Sequence, residues 1–273
     1  MRPYRWGGFT LLSPFPLPRL HPGTGYHGQI VFRQSPDEPP PEPTADRRTV
    51  RFLDGTTTQV SAGPDGADLV VRLSGVGTFV VRPHEVVLHR EPGASDDDVE
   101  HFLVNAVLSN LAGLRGELCP HAAAVARDGR ALVVAGPSGS GKSHLAARLV
   151  ADGWSLLADD HVVIRPDDGR WLAYPGARTV RVEGLEVKGA WPNRGKGEAV
   201  VAASAEPAAV ETLVLLTERG PEAEAANLTS LLAVQGGWRW TDEPTRRSLM
   251  DAAARLLSDV QVRRLTREEA ETL

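Results

Sequence analysis

Residues 136–143 read Gly136, Pro137, Ser138, Gly139, Ser140, Gly141, Lys142, Ser143 and fill every fixed position of the pattern G-x-x-x-x-G-K-[ST]. Apolar Leu132-Val-Val-Ala leads into this run, and a helical pattern from His144 to Ala151 leaves it. A strand that enters a glycine loop and continues as a helix belongs to an α/β domain, so this run restricts the fold more than any other. The chemistry follows from the residue types. Glycines let successive backbone N–H groups turn inward around phosphate oxygens, and the helix start adds partial positive charge. Lys142 brings a full charge to the outer phosphates, and the Ser143 hydroxyl is a ligand for Mg²⁺. With His144 in the first helical turn, the run is a candidate nucleotide site for ATP, or another nucleoside triphosphate, with Mg²⁺.

Downstream, Leu156-Leu-Ala-Asp159-Asp160-His is an apolar strand ending in two carboxylates. An acid at the end of a strand beside such a loop holds Mg²⁺ directly or through water. Two acids allow a division of labour, one orienting metal and the other taking a proton from an attacking hydroxyl. Asp159 and Asp160 are the candidates. His121, just before the apolar run Ala122 to Val125, is either a structural histidine or a phosphate-side group. Cys119 beside it is read as structural, because one cysteine makes neither an internal disulfide nor a metal cluster. The eight histidines show no H-x-x-H spacing, which argues against zinc.

The first hundred residues have a different texture. Short β-branched runs, at Gly8–Ser13, Gln29–Arg33, Val50–Leu53, Asp68–Leu73, Thr78–Arg82 and Glu85–Arg90, are separated by Gly, Pro and Asp clusters. They predict a small, mostly antiparallel β unit over 1–95, followed by a P-loop α/β domain over 96–273. Ser35–Thr44 is a proline-dense loop that cannot pair as a strand. Ser95-Asp-Asp-Asp starts a helix whose apolar residues, Val99, Phe102, Leu103, Ala106, Val107 and Leu111, recur at helical spacing up to Gly113 or Gly116. Arg127-Asp-Gly-Arg marks a hairpin. His161–Arg165 and Leu213–Leu216 are expected strands, and Asp242–Val262 an expected helix. Composition excludes little more. A net charge of -5 gives no global pull toward nucleic acid or anionic membrane, and no uninterrupted apolar stretch is long enough for a transmembrane helix. The expectation is a cytoplasmic protein with no nucleic-acid or membrane partner, in which Trp238 and Trp240 pack in a core.

These residues together resemble the HPr kinase/phosphorylase family, and especially its single-chain relatives found beside peptide natural-product clusters. The resemblance is tight from about 117 to 165, through His121-Ala-Ala-Ala-Val-Ala, the glycine loop, Leu145-Ala-Ala-Arg-Leu and Asp152-Gly-Trp-Ser-Leu-Leu-Ala-Asp-Asp. It is looser at Tyr4-Arg-Trp-Gly-Gly-Phe-Thr-Leu-Leu-Ser and Tyr174-Pro-Gly-Ala-Arg-Thr-Val-Arg-Val. His121 precedes the first loop glycine by 15 positions, and Asp160 follows Ser143 by 17, both as in that family. The resemblance implies a kinase domain with the phosphoenolpyruvate-carboxykinase type of P-loop fold. It would move phosphate from a nucleotide to a serine or threonine hydroxyl of a peptide or protein, such as a ribosomal natural-product precursor. A small-molecule hydroxyl, or a nucleotide-gated binding module without transfer, are the alternatives. It further implies that Asp160 is the base, that Lys142 and His121 sit at the phosphates, and that Ser143 holds Mg²⁺. Homo-oligomers occur in the family, so self-association stays open for this chain. The chain departs from the family at His144, where those kinases carry Glu, and at 179–186, where Arg181 takes the place of a metal-binding Glu. Asp159 or Glu183 would then fill the metal shell, or that shell would be smaller, and Arg178 and Arg181 would contact phosphate or substrate.

Overall fold

Alternation of apolar and polar residues builds nine strands into one sheet: β1 (Arg2–Trp6), β2 (Phe9–Ser13), β3 (His21–Pro22), β4 (Gln29–Gln34), β5 (Arg47–Arg51), β6 (Thr57–Ala62), β7 (Leu69–Leu73), β8 (Gly77–Arg82) and β9 (Glu85–Arg90). Their order is β3-β1-β2-β4-β9-β8-β7-β6-β5. The computed structural model describes residues 1–41, 47–51, 57–62, 68–183, 196–201, 203–217, 225–270 and 272. Most neighbours in this sheet are antiparallel, but β2–β4 and β4–β9 run parallel, each across a long connection. The proline-dense stretch carries no strand over 35–41, and its remainder lies outside the described residues, as do 52–53 of the expected third strand.

Ser95 starts the helical segment with a capping box: its hydroxyl accepts from the Asp98 N–H, and the Asp98 carboxylate accepts from the Ser95 N–H, both at 3.1 Å. Helices α1 (Asp96–Phe102) and α2 (Leu108–Leu114) are joined by a π-helical turn, Leu103–Val107. That wider turn shifts the buried stripe, so Val104, Leu108 and Ala112 join Val99, Leu103, Val107 and Leu111, while Ala106 is only partly buried. This segment packs in the same core as the first sheet, against Trp6, Phe9, Phe32 and Phe79. Val163, Tyr174 and Ala177 from later in the chain reach into that core as well. Of the two expected stop glycines, Gly116, with φ of 71°, follows the end of α2, whereas Gly113 lies inside it, where a Cβ would stand 2.6 Å from the Gly236 carbonyl oxygen.

The second sheet contains β10 (Ala122–Arg127), β11 (Arg130–Ala135), β12 (Ser155–Ala158), β13 (Ile164–Asp167), β14 (Arg170–Ala173) and β17 (Ala208–Leu216), in the order β12-β10-β11-β17-β14-β13. A separate pair is formed by β15 (Thr179–Glu183) and β16 (Lys196–Val200), and β18 (Gln261–Leu265) lies parallel to the end of β17. The predicted strand at His161–Arg165 begins only at Ile164, and the predicted helix through Val262 stops at Asp259, before β18. Alternation sorts the sheet into two faces. Ala122, Ala124, Val133 and Ala135 face α4 (Ala225–Ala233) and α5 (Glu243–Asp259), and Ala123, Val125 and Val134 face α3 (Lys142–Ala151) and α6 (Arg267–Ala270). The result is a mixed α/β chain, β-rich at its N-terminus, with helices on both faces of its second sheet. Trp238 packs against the second core and Trp240 against the first. Among the described residues no helix is long and apolar enough to cross a membrane.

Candidate functional site

Strand directions decide what meets at one end of the second sheet. β10 is antiparallel to both β11 and β12, with Ala122 opposite Ala135 and Ala124 opposite Ala158. The start of β10 therefore lies between the ends of its two neighbours. His121 sits at that start, the glycine loop follows the end of β11, and Asp159 follows the end of β12. Backbone bonds fasten the junction: the Gly136 N–H donates to the His121 carbonyl at 3.5 Å, and the Ala122 N–H to the Asp160 carbonyl at 3.2 Å.

The loop needs its glycines. Gly139 and Gly141 have φ of 86° and 100°, in the left-handed region, and a Cβ on Gly136 would stand 3.0 Å from Leu216 Cβ and Ser140 Oγ. Gly141 starts α3 without a side-chain cap, which leaves the first helical N–H groups for a ligand to meet. The Lys142 ammonium is buried and donates to the carbonyls of Gly136 and Pro137 at 2.9 and 2.8 Å. The Ser143 hydroxyl donates to Asp159 Oδ1 at 2.9 Å, and Asp159 is itself buried. A hydroxyl and a carboxylate converging in this way are the hard oxygen donors Mg²⁺ takes. Among the described residues no group of three or more His, Cys, Asp or Glu could hold a metal. Two polar atoms beside the loop, Ser140 Oγ and His161 Nδ1, are buried without a hydrogen-bond partner.

Asp160 has φ of 70°, unusual for a residue with a side chain, and the turn ends the strand alternation directly after Asp159. His161 follows, and its ring meets that of His121 edge to face, with centroids 5.5 Å apart. Burial, and then the nearby Lys142 charge, push the His161 pKa down to about 4, so its imidazole is neutral near pH 7. The cluster thus joins two histidines, a lysine, a serine hydroxyl and the Asp159 carboxylate beside the glycine loop, with Asp160 next in the chain.

No protein-family model matches the chain, and no curated protein matches it. Among solved structures, the HPr(Ser) kinase/phosphatase from Coxiella burnetii is similar over 39% of this chain, at 18% identity and a TM-score of 0.31. The match spans 64% of that protein's chain, less than two thirds of its length.

The other expected residues are placed as follows. His144 is exposed on the first turn of α3. Arg178 is tied to the N-terminal segment: its N–H donates to the Arg19 carbonyl and its Nε to the Pro18 carbonyl, each at 2.9 Å. Arg181 lies in β15 opposite Glu198. The side chains of Arg181 and Glu183 lie outside the described residues. The segment before Arg178 runs beside the acid pair, with the Gly176 N–H donating to the Leu157 carbonyl at 2.9 Å and Ala158 Cβ 3.0 Å from where a Gly176 Cβ would be. His161 escaped the sequence reading. Its signal was adjacency, as the residue after the acid pair, but nothing in the sequence opposed its ring to that of His121.

Proposed function

We propose that this chain is a nucleotide-dependent kinase that moves the γ-phosphoryl group of ATP to a serine or threonine hydroxyl of a peptide or protein. The observation that carries the reading is the bond between Ser143 and Asp159, made beside a lysine buried within a glycine loop. That arrangement gathers a metal-binding oxygen pair and a phosphate-binding cation at the ends of the two strands that flank β10. The nine-stranded sheet supports a macromolecular acceptor, because its core continues into Val163, Tyr174 and Ala177, on the segments that leave the acid pair.

In this reading the loop amides and Lys142 hold the β- and γ-phosphates, and His121 lies on the γ side. Ser143 and Asp159 would hold Mg²⁺, which when bound neutralises charge on the phosphate oxygens. The acceptor hydroxyl oxygen bonds to the γ-phosphorus as the bond from phosphorus to the bridging oxygen breaks, and the nucleoside diphosphate leaves. Asp160 takes the hydroxyl proton. Substitution Asp160→Asn removes the base while keeping size. Turnover is expected to fall by about 10²- to 10⁴-fold with ATP affinity little changed. The assay is intact-mass spectrometry of peptides encoded near the gene, incubated with the chain, ATP and Mg²⁺. A gain of about 80 Da, one phosphoryl group, that disappears in the variant supports the reading. Transfer that persists at full rate in Asp160→Asn excludes Asp160 as the base. ATP binding without transfer to any peptide removes the peptide acceptor.

A further inference from the structure

His121 enters the site on a short extended segment, 117–122, that has a neighbour along each edge. Even-numbered residues bond one way. The Ile164 N–H donates to the Leu118 carbonyl at 2.9 Å, the Val162 N–H to the Pro120 carbonyl at 3.2 Å, and the Ala122 N–H to the Asp160 carbonyl at 3.2 Å. The neighbour on this edge is the chain leaving the acid pair. Odd-numbered residues bond the other way, to the turn 234–236 that follows α4. The His121 N–H donates to the Val234 carbonyl at 2.7 Å, and the Gly236 N–H to the Cys119 carbonyl at 3.0 Å. Pro120 and Gln235 face each other as an antiparallel bridge.

Two further groups on the odd edge are met by one side chain. Gln235 is buried, and its Oε1 accepts from the Cys119 N–H at 2.9 Å while its Nε2 donates to the Glu117 carbonyl at 3.0 Å. Nε2 also donates to the Gly236 carbonyl at 3.0 Å, which ties the side chain back to its own turn. These partners dictate the orientation of the amide, since an N–H only donates and a carbonyl only accepts. The requirement is narrow. The position needs a donor and an acceptor on one planar group at this reach: ionised Glu has no donor, Met has neither, and Asn is one methylene short. Cys119 is fully buried, so losing the amide strands its N–H away from water.

On an extended chain the His121 side chain leaves between these two edges, so whatever fixes both edges fixes where its imidazole stands. We propose that Gln235 is a positioning residue for phosphoryl transfer: its amide completes the odd edge and thereby holds the His121 imidazole at the γ side of the glycine loop. This rests on the kinase reading and on the place of His121 in it. Gln235 acts through His121 and not on the nucleotide.

The test is steady-state kinetics of peptide phosphorylation by the full chain. Gln235→Met and Gln235→Glu are each measured in the unmodified and in the His121→Ala background, with thermal melts to establish folding. In the unmodified background both are expected to lower kcat by about 10- to 100-fold, with KM for ATP changed much less. In the His121→Ala background they should lower the residual rate by less than about twofold, because the group they position is gone. A folded Gln235 variant with unchanged kcat overturns the proposal. So does an equal fractional loss in both backgrounds, which makes Gln235 a general support of the site. If neither variant folds, Gln235 belongs to folding and the proposal is likewise overturned. The unmodified chain separates the two readings: if it phosphorylates no peptide, the kinase reading fails first, before any variant is compared.

Discussion

Arg19 and Lys142 are both cations buried in the fold, exposed at only 7% and 4%, yet Arg19 bonds to a distant helix and Lys142 to its own loop. Arg19 meets acid. Its N–H donates to Glu100 Oε1 at 2.6 Å, and its guanidinium donates to Glu100 Oε2 at 2.7 Å and Asp97 Oδ1 at 2.8 Å. Lys142 donates to the carbonyls of Gly136 and Pro137 in its own loop. A cation matched by carboxylates secures the packing of α1 on the N-terminal segment. The bonds from Lys142 to its own loop hold the ammonium at the glycine turn, where the proposed reading puts phosphate. In the proposed reading, the first buried charge serves folding and the second serves chemistry.

The sharpest way to break this contrast is to delete each charge and read both stability and activity. Lys142→Ala is expected to lower phosphoryl transfer by about 10³-fold and to move the thermal midpoint little, measured by peptide phosphorylation and calorimetry. A large loss of stability would place Lys142 with Arg19 instead. Arg19→Ala should do the reverse, costing about 3–5 kcal/mol in urea unfolding because it leaves Glu100 buried without its partner. The specific activity of the folded fraction should be retained. A smaller effect comes from pH. Burial lifts the Glu100 carboxyl from 4.5 to about 7, against the pull of Arg19. The folded state thus holds this proton more tightly than the unfolded chain does. Its contribution to stability is complete below pH 4.5 and is lost as pH rises through 7, by up to about 3 kcal/mol. Denaturant titrations across that window should show the decline, and Glu100→Gln should flatten it. An unchanged slope in the variant would assign the decline to other groups.

The glycine loop, the strand before it and the helix after it were legible in the sequence because each signal is local: fixed glycine positions, an apolar run, a 3.6-residue period. The capping box at Ser95 and the hairpin at Asp128-Gly129 were legible for the same reason, and Asp128 and Gly129 both take positive φ. The acid pair was readable as an acidic strand end. Features set by distant parts of the chain were not. The π-helical turn at Leu103–Val107 moves a stripe that the sequence places one residue away. The opposition of His121 and His161 depends on β10 lying antiparallel between β11 and β12, so that its start meets both of their ends. β18 reads as the tail of a helix, because a short charged strand finds its reason only in pairing with β17.

The placement of β11 bears on how the chain matures. Its antiparallel partner, β10, is the strand just before it, joined by a two-residue turn, so that half of its pairing closes locally and early. Its parallel partner, β17, is synthesised only after β12 to β16, and β18 and α6 come later still. The loop therefore stands half-framed until the C-terminal third of the chain has docked. If the loop takes a nucleotide as proposed, capture is a late event in the life of each molecule, open only to a chain that has finished its second sheet.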